Sequence, residues 1–235
     1  MSEKLRLVSE GALASKRVTI DVYDEDYYER GAVVGKSGYM NYSWMPELTI
    51  RMAHFMIMNL GISRNDHVLD YGCAKGFLVK AFRILGINAE GVDVSRYAID
   101  FVDAAVKQQC RHITGHGDEA CFRSDYDLMI AKDVLEHIAE DDLRDLLSTA
   151  RKSCKKIFAA IPVAADDTCG KFVVPEYDKD VTHVTAKSVQ WWWSLFESTG
   201  WHIDQFAHTF PGMKQNWTDA FAKGNAFFTI SAGNS

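Results

Sequence analysis

Apolar positions along this chain follow two rhythms that take turns. Short apolar runs suited to buried strands occupy residues 67–71, 89–93, 111–114, 128–131 and 155–160, the last closed by Ile161-Pro162. Between them, apolar residues recur at three- and four-residue spacing. Leu48, Met52, Phe55, Met56 and Leu60 predict a helix over 46–60, with Pro46 at its start and Gly61 at its end. Phe77, Leu78, Ala81, Phe82 and Leu85 predict one over 76–85. Tyr97, Ile99, Phe101, Val102 and Ala105 predict one over 96–108, and Leu143, Leu146, Leu147 and Ala150 one over 140–152. A last helix carries Val189, Trp192, Trp193, Leu195 and Phe196, with Thr185 or Ser188 as its cap and Gly200 as its stop. The end turns strand-rich, at 201–206 and 225–230. Such alternation predicts an α/β fold: a doubly wound, mostly parallel sheet with right-handed crossovers and helices on both faces.

The rhythm lapses in three places. Residues 1–20 read as a loose arm. Residues 21–45 are dense in aromatics and glycine ahead of the first core strand, and Tyr39, Tyr42 and Trp44 suit a half-wet lid. Residues 163–185 form a long connection at the sheet's carboxyl edge, where such loops tend to serve function. The expected organisation is an N-terminal arm or lid over 1–45 and one domain over 46–235, with 163–185 as a substrate-side insertion. Trp191, Trp192 and Trp193 cannot all face inward on one helix.

Composition narrows the function classes. The chain has 235 residues and a net charge of −6, which disfavours a broad nucleic-acid footprint. Its five cysteines include no C-x-x-C pair, so neither a disulfide framework nor a zinc site is expected. The N-terminus lacks an apolar signal core and no apolar run is long enough to span a membrane. These features together predict a soluble protein of the reducing cytoplasm.

The candidate chemistry centres on Asp70-Tyr71-Gly72-Cys73-Ala74-Lys75-Gly76, between the first strand and its helix. Gly72 and Gly76 permit a sharp turn and close approach of a ligand, and Asp70 stands at the strand's carboxyl end. A dinucleotide fingerprint requires G-x-G-x-x-G, but Ala74 and Phe77 fill its second and third glycine positions, which argues against a hydride-transfer enzyme. Asp70-x-Gly72-x-Ala74-x-Gly76 instead resembles the acidic glycine turn of class I S-adenosylmethionine (SAM) methyltransferases. Asp93 lies near the roughly 20-residue distance at which an acid meets a ribose.

The resemblance implies a seven-stranded sheet with an antiparallel last strand, SAM as cofactor and S-adenosylhomocysteine as product. It places Gly72, Cys73, Ala74 and Gly76 against the methionine half, Asp93 with Val94 at the ribose, and Asp118 or else Glu119 at the adenine. Asp133-Val134-Leu135-Glu136-His137-Ile138 is similar to the segment after the fourth strand in small-molecule members, so Lys132 and Asp133 are expected where cofactor and substrate meet, covered by Tyr39. Ser37-Gly38-Tyr39 with Tyr42 resembles the leader of methyltransferases of glycan and capsule biosynthesis, which implies a small-molecule or sugar acceptor.

Methylating a hydroxyl requires a base, and histidine suits neutral pH. His183 is the first candidate, with Asp180 three residues earlier to orient its ring; His137 is the second. This reading assigns no metal. Two alternatives stand beside it. Asp133, Glu136, His137 and His183 resemble the ligand set of metal-assisted RNA 2′-O-methyltransferases, and a non-catalytic SAM-binding subunit would keep the same turn.

Overall fold

The computed structural model describes residues 17–116 and 118–233. In chain order the elements are α1 (Glu25–Glu29), α2 (Gly31–Val34), α3 (Pro46–Leu60), β1 (His67–Tyr71), α4 (Phe77–Ile84), β2 (Asn88–Asp93), α5 (Arg96–Asp100) and β3 (Cys110–His112). They continue with β4 (Leu128–Lys132), α6 (Glu140–Ala150), β5 (Lys156–Pro162), α7 (Val189–Ser198), β6 (Trp201–Ala207), α8 (Gln215–Ala220) and β7 (Asn225–Ala232). The strand order is β3-β2-β1-β4-β5-β7-β6. Neighbours from β3 to β5 pair in parallel, and β7 runs antiparallel to both β5 and β6. The doubly wound sheet expected from the alternation is therefore present, with the seven strands that the resemblance implied.

Period-two side-chain alternation sorts the strands into two cores. Leu69, Met129, Ala131, Ile157 and Ala159 face one side, packed beneath Leu143, Leu146 and Leu147 of α6 and Trp192 and Phe196 of α7. Val68, Ile130, Phe158 and Ala160 face the other, against Ala53 and Met56 of α3 and Val79 and Phe82 of α4. Trp192 is wholly buried, while Trp191 and Trp193 are half-buried at the edge of the first core.

One expected boundary shifts, and a choice between two caps is settled. The helix over 96–108 stops at Asp100, followed by a short 3-10 turn at Ala104–Val106. Asp103 breaks it: its carboxylate accepts from Ala105 N at 3.0 Å and from Lys80 Nζ at 2.6 Å, and its own N–H reaches back to Lys75 O. Ser188 caps α7 by accepting from Trp191 N, while Thr185 is committed to Ile138 O. Of the loose arm expected over 1–20, residues 1–16 lie outside the described residues.

The sheet order reverses between β1 and β4, and their carboxyl ends open a crevice of the kind in which doubly wound folds hold ligands. No helix of the described residues is long and apolar enough to cross a membrane.

Candidate active site

The turn after β1 is shaped by backbone demands. Gly72 has φ +79° and donates to Val92 O at 2.8 Å, and a Cβ there would meet Val134 Cγ2 at 2.4 Å. Ala74 takes the same left-handed region with φ +48°, at the small steric cost of one methyl. Its N–H donates to Asp93 Oδ2 at 2.7 Å, and Ser95 N–H donates to Asp93 Oδ1 at 2.7 Å. The turn and the end of β2 thus lock one carboxylate in place, leaving each oxygen a lone pair for a further donor. Burial pushes the Asp93 carboxyl up to about 6, against those backbone bonds. Burial likewise pushes Asp70 up to about 7, opposed by the charge of Lys132.

Two cavities meet here. A narrow one, about 80 Å³, is lined by Asp93, Val94, Ile113, His116, Val134, His137 and the tyrosines 23, 27, 28 and 71. A larger one, about 700 Å³, is lined by Asp70, Cys73, Lys132, Lys214, Tyr177 and Trp217 among others. Tyr39, Gly72, Ala74 and Asp133 line both, so they form the boundary that the two share. Gly76 lines neither. Its glycine serves the turn, with φ +75° and a Cβ position 2.8 Å from Cys110 Sγ.

Asp133 sits at that boundary with φ +55°, a strained conformation of the kind found at functional sites. Lys132 Nζ donates to its Oδ2 at 2.6 Å, and Lys214 forms an ion pair with Oδ1. Burial would raise the Asp133 carboxyl, but the two ammonium groups hold it well below the usual range. A carboxylate so held is a poor proton acceptor. Lys214 is itself anchored on Asn225 Oδ1 at 2.9 Å and Tyr177 Oη at 3.1 Å.

A cluster of N-terminal tyrosines stands at the two cavities: Tyr23, Tyr27 and Tyr28 line the narrow one, Tyr42 the larger one and Tyr39 both. The rings of Tyr23 and Tyr27, and of Tyr27 and Tyr28, lie 5.1 Å apart, and those of Tyr39 and Tyr42 4.8 Å apart. Polar fasteners tie it to the domain. Ser95 Oγ donates to Tyr23 O at 2.6 Å, Val181 N to Lys36 O at 3.1 Å, and Lys75 pairs with Glu29.

Two expected contacts are not made among the described residues. Asp118 does not line the cavity: its oxygens accept from Thr114 Oγ1 at 3.1 Å and Ala120 N at 2.9 Å, which holds the loop after β3 together. His116 lines that wall instead, 3.1 Å from Tyr71 Oη through Nδ1. The side chain of Glu119 lies outside the described residues. Asp180 does not orient the His183 ring. Its backbone carbonyl accepts from His183 N, while its carboxylate folds back onto Thr182 N and Oγ1 at 2.9 and 2.5 Å and accepts from Tyr27 Oη at 2.9 Å.

The two histidines differ in setting. His183 Nδ1 lies 2.6 Å from Tyr177 O, and its Nε2 is 3.9 Å from Glu136 Oε1. It lines neither cavity. His137 lines the narrow cavity, with Nδ1 2.7 Å from Thr182 Oγ1 and its ring 4.5 Å from that of His183. Burial, with the nearby His183, pushes His137 down to about 4, so its ring is neutral at physiological pH but a weaker base than a free imidazole. Glu136 is wholly buried, and neither of its carboxylate oxygens has a hydrogen-bond partner among the described residues. Burial, then the charge of Asp133, raises it well above the carboxylate range. Glu136, His137 and His183 bring one ligand atom each within 4.8 Å of one another, a set able to hold a divalent ion.

The family model described as "Methyltransferase domain" matches residues 44–210, so the chain belongs to that methyltransferase family. No curated protein matches it in sequence. Among solved structures it is similar to a methyltransferase in complex with the Haloferax volcanii Trm112 methyltransferase activator, with TM-score 0.63 and 14% identity over 81% of this chain and 92% of that one. It is similar to the mitomycin 7-O-methyltransferase MmcR, with TM-score 0.58 and 12% identity over 87% of this chain and 66% of that one. A SAM-dependent methyltransferase from Archaeoglobus fulgidus gives TM-score 0.57 and 14% identity over 79% and 96%. The chain is a SAM-dependent methyltransferase of class I architecture. The donor set fits the cofactor: Asp93 has lone pairs free for vicinal hydroxyls, and Asp70 is a buried carboxylate beside the turn, suited to an ammonium group.

Proposed function

We propose that the chain methylates a hydroxyl of a small acceptor, with a sugar or glycan precursor as the acceptor class, in the cytoplasm. One observation carries this reading: a neutral imidazole, His137, shares one cavity with Asp93 and with the boundary residues Gly72 and Asp133. SAM supplies an electrophilic methyl group. The residues must align the acceptor with it and remove the hydroxyl proton as the new bond forms. Asp133 is unfit to take that proton because two lysines hold its charge. His183 is turned onto Tyr177 O and away from the cavities. His137 therefore takes the role of base, with His183 behind it.

Tyr177, Trp217 and Tyr42, with Asn216 and Gln215, line the larger cavity with rings and amides, surfaces that stack on and hydrogen-bond to a sugar. The N-terminal residues up to 45 act as the lid. Transfer from labelled SAM, screened over nucleotide sugars, glycans, small phenols and RNA, tests the assignment. Label on a sugar hydroxyl supports it; label only on nitrogen, or only on RNA, overturns it.

The unpartnered Glu136 beside two imidazoles favours a second reading, in which a divalent ion held by Glu136, His137 and His183 acidifies the acceptor hydroxyl. Activity lost on chelation and restored by added divalent ion would select it.

A further inference from the structure

Asp180, Thr182 and Tyr27 form a hydrogen-bond chain that ends on His137, and its donor order is fixed by valence. A carboxylate only accepts, so all three bonds at Asp180 arrive from donors: Tyr27 Oη at 2.9 Å on Oδ2, and Thr182 N at 2.9 Å and Thr182 Oγ1 at 2.5 Å on Oδ1. The Thr182 hydroxyl has one hydrogen, and Asp180 holds it. The 2.7 Å contact between His137 Nδ1 and Thr182 Oγ1 then has a single consistent form, with Nδ1–H donating to the threonine oxygen. A neutral imidazole protonated at Nδ1 carries its lone pair at Nε2. Thr182 and Asp180 are buried or half-buried, so water does not compete freely for these groups.

We infer that Thr182 is the positioning residue of the proton acceptor His137, selecting its Nδ1–H tautomer through Asp180, and that Tyr27 of the lid completes the chain. The inference rests on the proposed role of His137 in hydroxyl methylation. Under it, the 163–185 segment carries the carboxylate that sets the base's tautomer, at one bond's remove. When the acceptor proton moves to Nε2, the imidazolium keeps its Nδ1–H bond to Thr182, and the Asp180 charge lies one hydroxyl away to stabilise it.

The test reads the ring directly. The full chain, labelled with ¹⁵N-histidine and saturated with S-adenosylhomocysteine, is examined by long-range ¹H–¹⁵N correlation, with the His137 signals assigned from a His137→Gln sample. Wild type should show a protonated Nδ1 and a bare Nε2. Thr182→Val keeps the shape but removes the side-chain acceptor, leaving only the Thr182 backbone beside the ring, and should shift the ring toward the Nε2–H form; Thr182→Ser should restore the wild-type pattern. Asp180→Asn should act in the same direction as Thr182→Val. Its amide can donate to Thr182, which frees the hydroxyl hydrogen to point at Nδ1. A bare Nδ1 in wild type, or the same spectrum in wild type and both disruptive variants, overturns the inference. Thermal melts establish that each variant is folded, and Asp180→Asn carries the test if Thr182→Val is not. Failure of S-adenosylhomocysteine to bind would count against the methyltransferase reading and leaves the tautomer measurement on the free protein to decide this one.

Discussion

Cofactor affinity should depend on one carboxylate and on pH in a way that can be worked from its contacts. Asp93 is locked by Ala74 N and Ser95 N at 2.7 Å each, with the remaining lone pairs free for two ribose hydroxyls. Asp93→Ala removes charge-assisted hydrogen bonds worth about 1.5–3 kcal/mol in total. At 1.4 kcal/mol per tenfold, Kd should rise roughly 10- to 150-fold. Burial raises this carboxyl to about 6 in the folded protein. The sign follows. A raised carboxyl lends the free protein stability that is fully present below the unfolded value near 4 and lost as pH rises through about 6. Binding runs the other way, because the hydroxyls donate to the ionised form. One group with a midpoint near 6 is about one-tenth ionised at pH 5, so affinity there should be about tenfold weaker than at pH 8. Asp70, raised to about 7 by burial, adds a second step in the same direction if it holds an ammonium group. Calorimetric titration with S-adenosylhomocysteine from pH 5 to 8 measures both. Asp93→Ala should lose the lower step and keep the upper one. A variant that binds within twofold of wild type would refute the ribose assignment, and a wild-type affinity independent of pH would refute the raised carboxyl.

Other expectations are more local. His137→Gln should lower turnover by about 10²–10⁴-fold, the usual cost of a lost base, with cofactor affinity within a few fold of wild type; His183→Gln should cost less, and equal losses would argue for the metal reading. The narrow cavity of about 80 Å³ has room for a few waters rather than a nucleoside, so under the proposed lid role residues 21–45 should move when the cofactor binds. Hydrogen exchange over residues 20–42 should therefore slow on binding S-adenosylhomocysteine, and an effect confined to 72–76 would contradict a lid. Gly72→Ala combines φ +79° with a Cβ 2.4 Å from Val134 Cγ2, and should cost about 2–4 kcal/mol by denaturant melts.

Residues close in sequence are legible because their chemistry is local. Val68, Leu69 and the glycine turn announce strand, bend and helix within a dozen positions, and Pro46 and Gly61 mark both ends of α3 through backbone preferences of their own. The place of Asp93 at the end of β2, beside the turn, is legible because one crossover unit sets its distance from it. Where a side chain has a choice of partner, sequence is not enough. Asp103 ends its helix by pairing with Lys80, and Asp118 turns onto its own loop rather than into the cavity. The site's remaining members come from distant segments: Tyr27 meets Asp180 across 153 positions, and His137 meets Thr182 across 45. His116 and Lys214 carry no periodic signal, and only the packing of loops at the β1–β4 crevice brings them in. Backbone preference and apolar spacing act between near neighbours, so the chain's order alone determined the sheet, its helices and the cofactor turn. Which histidine faces the cavity, and which carboxylate stands behind it, was decided by long-range contacts that form only when the whole domain closes.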